Sequence, residues 1–328
     1  MDKKLKIAIV GASGLVGQKV LEALTDYNFK IDKLVLYSSS KSAGKKVKYD
    51  DKEYLISELK EENLDYDLDI VFFCAGGEIS REFVDLFVKN KVYVIDNSSA
   101  FRMEKDVPLV VPEVNCLDIK KGQYLIANPN CTTIQSVVPL KVIDDLFELE
   151  RVDYSTYQAV SGSGIKGVND LKNGTMECYR YSIKDNLIPL IDDICDDDYS
   201  KEEHKMINET RKILHKADIE VSATCIRVPI ENGHAVAINV KTKKGIDLQK
   251  LIEAFENFAG IELRNDTKNM VFPLASEADG NDKVYIGRIK KDLFDDKRVH
   301  LYCVADNVRK GAAGNSVQIA EYLVDNIL

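Results

Sequence analysis

Along roughly the first 130 residues, short apolar runs alternate with stretches of helical spacing. Leu5–Val10 (LKIAIV) predicts a short buried strand. Val16, Val20, Leu21 and Leu24 then recur three and four residues apart, predicting a helix from about Leu15 to Leu24. Leu34–Tyr37 is a second predicted strand. Ile70–Cys74 (IVFFC) is a third, apolar without a break, as in a strand buried on both faces. Phe83, Leu86 and Phe87 predict a helix, while Val92–Ile95 and Tyr124–Ala127 predict further strands. This alternation predicts an α/β domain with a doubly wound parallel sheet. After Cys131, the residues Ile134, Val137, Val138, Val142 and Leu146 fall at helical spacing, with Pro139 expected to kink the helix or sit near its first turns.

The middle of the chain has a different pattern. Val152–Val160 and Val221–Val228 are β-rich, and Ala235–Val240 alternates between two faces, which predicts a second, α+β domain on a mixed or antiparallel sheet. Lys201–Lys216 is highly charged and reads as a solvated helix. Asp192–Asp198 reads as an exposed acidic connection. Gly311–Leu328 reads as an amphipathic helix with Val317, Ala320, Leu323 and Val324 on one face. The expected division is residues 1–130 with 305–328 in the first domain and 131–304 in the second, as befits a 328-residue chain.

Composition removes several functions. The formal net charge of −9 argues against nucleic acid and anionic membranes as partners. Seven cysteines, an odd number without any CxxC pair, argue against a disulfide framework or zinc ribbon and for reduced thiols in the cytoplasm. Lys6 and Gly11 interrupt the N-terminal apolar stretch before it can form a signal sequence, and no segment approaches a membrane span. Asp192–Asp198 lacks EF-hand spacing and a turn glycine, so no metal is expected.

Gly11-x-x-Gly14-x-x-Gly17 lies between the first strand and the first helix. A tight turn, close backbone approach and a helix N-terminus suit a dinucleotide pyrophosphate, as in Rossmann-type domains. The second strand ends in Ser38-Ser39-Ser40-Lys41 with no carboxylate. Hydroxyls and a cation favour a 2′-phosphate, so NADP is expected rather than NAD. A serine-rich surface turn is the plainer alternative.

Cys131 begins a predicted helix, past the end of a strand, on the side where open α/β sheets bind ligands. A helix N-terminus favours negative charge on such a sulfur. Cys74, inside a core strand, is expected to be inert. Of the four histidines, His234 is the best proton-transfer candidate, following Gly233 at a turn seven residues after Arg227. A turn histidine capping a backbone group is the competing reading.

At this point the chain resembles the aspartate-β-semialdehyde dehydrogenase family, and its shorter bacterial branch in particular. The resemblance rests on GASGLVG (Gly11–Gly17), DNSSAFR (Asp96–Arg102), ANPNCTT (Ala127–Thr133) and YQAVSGSG (Tyr157–Gly164). It continues through EEHKMINETRKIL (Glu202–Leu214), RVPIENGH (Arg227–His234) and DNVRKGAAGN (Asp306–Asn315). It implies a Rossmann-type domain plus an α+β catalytic and dimerisation domain of the glyceraldehyde-3-phosphate-dehydrogenase-like type. It also implies Cys131 as acyl-thioester nucleophile, His234 as general acid/base and Gln158 as the group orienting the acyl carbon. By the same resemblance Arg227 holds the substrate carboxylate, Glu202 meets its amino group, and Arg102 and Lys205 bind phosphate. The NADP site would draw on Gly11, Ser13, Gly14, Leu15, Val16, Ser39, Ser40, Lys41, Ser161, Gly162 and Asn307. Ser13, Lys41 and Ser163 stand where many relatives have Thr, Arg and Ala.

The implied reaction is NADPH-dependent reduction of L-aspartyl 4-phosphate to L-aspartate 4-semialdehyde, in lysine, diaminopimelate, methionine and threonine biosynthesis, by a cytoplasmic homodimer. Two neighbouring activities on the same fold compete: N-acetyl-glutamyl-phosphate reduction and reduction of a CoA thioester. A catalytically silent NADP-binding or thiol redox-sensor protein is a rival of another class. It would account for the glycine loop and Cys131 but not for Gln158, Arg227, His234, Arg102 and Lys205 together.

Overall fold

The apolar runs of the first 130 residues become strands of one sheet in the computed structural model, which describes residues 4–328. In chain order β1 (Leu5–Val10) leads to α1 (Leu15–Asp26), β2 (Ile31–Ser38), and a hairpin of β3 (Lys46–Tyr49) and β4 (Lys52–Glu58). Then come β5 (Ile70–Phe73), α2 (Gly77–Lys89), β6 (Tyr93–Asp96), the short α3 (Pro112–Asn115) and β7 (Leu125–Ala127). The long α4 (Cys131–Phe147) precedes β8 (Leu149–Gln158), α5 (Gly164–Asn173), α6 (Lys201–Ile213), β9 (Glu220–Arg227) and β10 (His234–Thr242). The chain closes with α7 (Leu248–Asn257), β11 (Ile261–Leu263), α8 (Ala275–Ala278), β12 (Val284–Lys291), β13 (Arg298–Ala305) and α9 (Asn315–Asn326).

The chain forms two units, Met1–Pro129 with Ala312–Leu328, and Asn130–Gly311. The first holds a seven-stranded sheet in the order β3-β4-β2-β1-β5-β6-β7, parallel except for β3. Residues from both faces of β1 and β5 are buried, Ile7, Ile9, Ile70 and Phe72 against α1 and α9, and Ala8, Val10, Val71 and Phe73 against α2. This two-sided burial explains why those strands read as unbroken apolar runs. β1 lies between β2 and β5, so the strand order reverses there and the loop after Val10 sits at the switch point. Gly11 has φ +88°, and a Cβ there would lie 2.6 Å from the carbonyl oxygen of Cys74. Only glycine lets the turn pass so close to the end of β5.

The second unit holds a six-stranded sheet in the order β11-β12-β13-β10-β8-β9. The pairs β8–β9 and β11–β12 are parallel and the others antiparallel, making the mixed sheet the sequence predicts. Gln158 pairs with Arg227 at the C-terminal ends of β8 and β9, and His234 begins β10 one step before the Ala235–Tyr157 pair. The three side chains therefore start from one end of the sheet.

Two local expectations need correction. Pro139 lies in the interior of α4, beyond its first turns. The segment from Lys201 is not solvated all round. Glu202, Met206, Glu209, Thr210 and Ile213 bury one face of α6 at helical spacing. Its high charge conceals this face, because two of the five inward residues are glutamates.

Candidate active site

Cys131 is the first residue of α4. The preceding Asn130 caps the helix, its Oδ1 accepting from the backbone N–H of Thr132 at 2.9 Å and of Thr133 at 3.1 Å. Asn130 is itself gripped by α6. Its Nδ2 donates to Glu202 Oε1 at 2.9 Å, and its backbone N–H donates to Glu209 Oε2 at 2.6 Å. Two buried carboxylates on one helix thus fix the turn that presents the thiol on another. On the other side, a Cβ on Gly311 would meet the Cβ of Cys131 at 2.8 Å, so that position leaves no room for a side chain.

Glu202 is 4 % exposed and sits at the centre of this arrangement. Besides Asn130 it accepts from Gln158 Nε2 at 3.2 Å and from Lys205 Nζ at 3.1 Å. Burial opposes its ionisation, but Lys205, Asn130 and Gln158 together outweigh burial and hold its carboxyl below the usual range. Lys205 is shifted upward. Burial again acts the other way, and the carboxylates of Glu202 and Asp192 overcome it. Lys205 Nζ also donates to Asp192 Oδ2 at 2.8 Å.

Gln158 ends β8, and the next residue orients two more groups. The backbone N–H of Ala159 donates to His234 Nδ1 at 3.0 Å, and its carbonyl accepts from Arg227 Nη1 at 2.7 Å. With Nδ1 accepting, the neutral imidazole carries its proton on Nε2. That atom is buried and has no hydrogen-bond partner among the described residues. Burial, and then the charge of Arg227, push the imidazolium pKa well below its ordinary value, so the ring is neutral at physiological pH. His234 thereby presents an N–H donor. Arg227 is 4 % exposed, and its Nε has no hydrogen-bond partner among the described residues, so one N–H of the guanidinium stays unpaired after Nη1 is anchored. A Cβ on Gly162 would lie 3.0 Å from Arg227 Nη1 and 3.2 Å from His234 Nε2, so both groups flank this glycine.

Other sequence-predicted residues of the second unit gather nearby in the same loops. Ser161 Oγ donates to Asn232 Oδ1 at 3.0 Å, Asn307 Nδ2 donates to Ser161 Oγ at 2.9 Å, and Asn307 Oδ1 accepts from the Gly233 N–H at 2.9 Å. In the first unit Arg102 follows β6 in a loop organised by buried Asp96, which accepts from Ser80, from Ser98 Oγ and from the Ser98 N–H. Arg102 is buried, with Nε donating to the Asn128 carbonyl at 2.9 Å and Nη2 to the Asn97 carbonyl at 3.0 Å.

The glycine loop fits a dinucleotide. Gly14 caps α1 without a side-chain hydrogen bond, and no acidic residue stands in the first turn of the helix. Its leading N–H groups and positive end are left for an anion. Ser13 Oγ and Ser38 Oγ are 2.7 Å apart, tying the loop to the end of β2. Ser39, Ser40 and Lys41 follow, exposed.

Residues 6–122 match the family model "Semialdehyde dehydrogenase, NAD binding domain", and residues 140–310 match "Semialdehyde dehydrogenase, dimerisation domain". The chain is 47% identical to an aspartate-semialdehyde dehydrogenase of Aquifex aeolicus, covering 97% of this chain and 98% of the relative. It belongs to the aspartate-semialdehyde dehydrogenase family. Among solved structures, aspartate semialdehyde dehydrogenase II from Vibrio cholerae, complexed with ASA, superposes with a TM-score of 0.94 at 40% identity over 100% of both chains. The Candida albicans aspartate semialdehyde dehydrogenase with NADP gives 0.79 at 26% identity, covering 98% of this chain and 99% of that one.

For a member of the aspartate-semialdehyde dehydrogenase family, sequence reasoning overlooked four supporting groups here: Asn130, Glu209, Gln135 and the Ala159 peptide. Gln135 Nε2 donates to the His234 carbonyl at 3.1 Å. Glu209 had a legible signal, since it lies seven residues after Glu202 and so two turns along the same helix face. The Ala159 peptide had none, because a backbone role leaves no mark on residue type. Cys225 and Cys303 are buried, and burial pushes the Cys303 thiol up to about 12. Burial raises the Cys74 thiol too.

Glu202 gives a pH prediction. Its folded pKa is depressed, so its contribution is fully present above the unfolded value of about 4.3 and is lost as pH falls through the folded pKa. Glu202→Gln is expected to lower the thermal midpoint at neutral pH, with a cost of about 1–3 kcal/mol for the weakened buried network. The gap to the unsubstituted protein should narrow below about pH 4. Thermal scans from neutral pH to about pH 3 check this, and a constant gap across that range would assign the loss to packing.

Proposed function

We propose that this chain reduces L-aspartyl 4-phosphate to L-aspartate 4-semialdehyde, releasing phosphate, through a thioester on Cys131 and with NADPH as reductant. The observation that carries the reading is the linked set around the head of α4. A helix-start thiol, a neutral imidazole donor and a buried guanidinium with an unpaired Nε are tied together through Asn130, Glu202, Gln158 and Ala159.

The chemistry follows from those groups. The Cys131 thiolate attacks the acyl carbon, and the carbon–oxygen bond to phosphate breaks, leaving the thioester. Lys205 and Arg102 are assigned to the phosphate. Arg227 offers its unpaired Nε–H to the α-carboxylate, and Glu202 faces the amino group. Gln158, held by Glu202, positions the acyl group. Bound NADPH supplies the hydride that reduces the thioester. The oxyanion that then forms needs a donor, and His234 Nε2–H provides one without first having to change protonation. Collapse of that oxyanion returns the thiolate and frees the aldehyde, so the imidazole need not lose its proton to complete the turnover.

NADP is assigned to Gly11, Ser13, Gly14, Leu15, Val16, Ser39, Ser40 and Lys41 in the first unit and to Ser161, Gly162 and Asn307 in the second. The products serve lysine, diaminopimelate, methionine and threonine synthesis, and the enzyme works as a cytoplasmic homodimer through its second unit. Among the described residues no helix is long and apolar enough to cross a membrane.

The direct experiment is NADP reduction with aspartate semialdehyde, with and without phosphate. Turnover only with phosphate is expected. Equal turnover with CoA in its place would favour a thioester reductase, and turnover only with N-acetyl-glutamate semialdehyde would favour the other relative. The same assay at equal NAD and NADP should strongly prefer NADP, and equal rates would remove Ser39–Lys41 as a 2′-phosphate site.

A further inference from the structure

We propose that Cys195, Asp197 and His204 form a binding site for a zinc-class divalent transition-metal ion on the second unit, built from none of the residues assigned to the substrate. One ligand atom from each lies within 4.8 Å of the other two. Tetrahedral zinc, with bonds of roughly 2.0–2.3 Å, needs ligand atoms roughly 3.3–3.8 Å apart, so closure takes about an ångström of side-chain movement.

The three donors are held by a built turn. The strand-like pairing of Ile194 with Ser200 closes a hairpin, in which the Cys195 N–H donates to the Tyr199 carbonyl at 2.7 Å and the Asp198 N–H donates to the Cys195 carbonyl at 3.1 Å. Ser200 then starts α6 through a reciprocal cap with Glu203, which fixes the helix against the hairpin. His204 stands in the first helical turn. Its Nε2 is 3.0 Å from Asp197 Oδ2, and its ring lies 5.8 Å from that of Tyr199. The imidazole and carboxylate are therefore already aimed at each other, with the thiol beside them.

The donor set selects the ion. A thiolate, an imidazole and one carboxylate suit a borderline-soft ion such as Zn2+ or Co2+, whereas Ca2+ and Mg2+ prefer oxygen. Three protein ligands leave a fourth position for water. Binding releases the thiol proton, and the imidazole N–H now facing Asp197 must turn or leave, so affinity should rise with pH. The charge of the helix N-terminus opposes a cation there; Asp196 and Asp198 in the same segment offset it, while Asp192 and Asp193 are paired with Lys205 and Lys201. Asp192, the partner of Lys205, lies two residues before this hairpin, so metal binding would stiffen the support of a residue assigned to phosphate.

Cys131 and His234 are rival ligands, so the test uses the full chain carrying Cys131→Ser. Co2+ should bind one equivalent, with a thiolate-to-metal charge-transfer band in the near ultraviolet, and Zn2+ should displace it. Adding Cys195→Ser should abolish the band, and adding His204→Ala should weaken uptake by more than about 100-fold, beyond the usual loss from an outer-sphere change. Circular dichroism shows whether these surface-loop variants stay folded. No uptake at micromolar metal, or a band that survives both substitutions in folded protein, overturns the proposal. Neither result bears on the thioester chemistry of Cys131.

Discussion

Cys131→Ala should lower phosphate-dependent NADP reduction by roughly 10⁴-fold or more, because no second group can carry the acyl chain. Alanine keeps the helix start, and Asn130 retains its bonds to Thr132, Thr133, Glu202 and Glu209, so the fold and NADP affinity should survive. Two measurements make this decisive. The first is steady-state turnover with aspartate semialdehyde and phosphate. The second is mass spectrometry after exposure to aspartyl phosphate without NADPH, which should find one aspartyl adduct on the unsubstituted protein and none on the variant. A variant keeping more than a small fraction of the turnover would mean that hydride transfer needs no thioester.

The second large effect is expected for Arg227→Lys. The guanidinium spends Nη1 on the Ala159 carbonyl and still keeps its Nε unpartnered. A lysine ammonium can hold the carbonyl or meet a carboxylate at a point, but it lacks the planar fork. Losing a charge-assisted bond of about 1.5–3 kcal/mol predicts a roughly 10–150-fold rise in substrate KM. The kcat should fall less, since the carboxylate is remote from the reacting carbon. An unchanged KM would place the substrate carboxylate elsewhere. A fall confined to kcat would instead point to the imidazole, because Ala159 is shared by Arg227 and His234.

The sequence was most legible where one physical demand governed each position. The core strands β1 and β5 are apolar on both faces, and the glycine loop follows from a turn that passes under the end of β5. It was least legible where two demands overlapped. The hairpin of β3 and β4 is largely solvated and carries lysines and glutamates, so no apolar run announces it. Its turn at Asp50 and Asp51, with φ of 45° and 59°, was the available signal. In α6 the inward glutamates read as solvent-facing charge. At the site, position along the chain singled out Cys131 and His234, the residues to which the proposed chemistry is assigned. The ring tautomer depends on a peptide N–H, which no residue type encodes.

The grip of α6 on Asn130 has a further consequence for the order in which the second unit assembles. The donor N–H of Asn130 and its acceptor Glu209 are 79 positions apart, and the bond between them, 2.6 Å long, is buried. That amide can exchange its hydrogen with solvent only when its buried bond to Glu209 opens. Its exchange rate is therefore a clock for how often the mounting of Cys131 comes apart, readable in the resting protein with no substrate present.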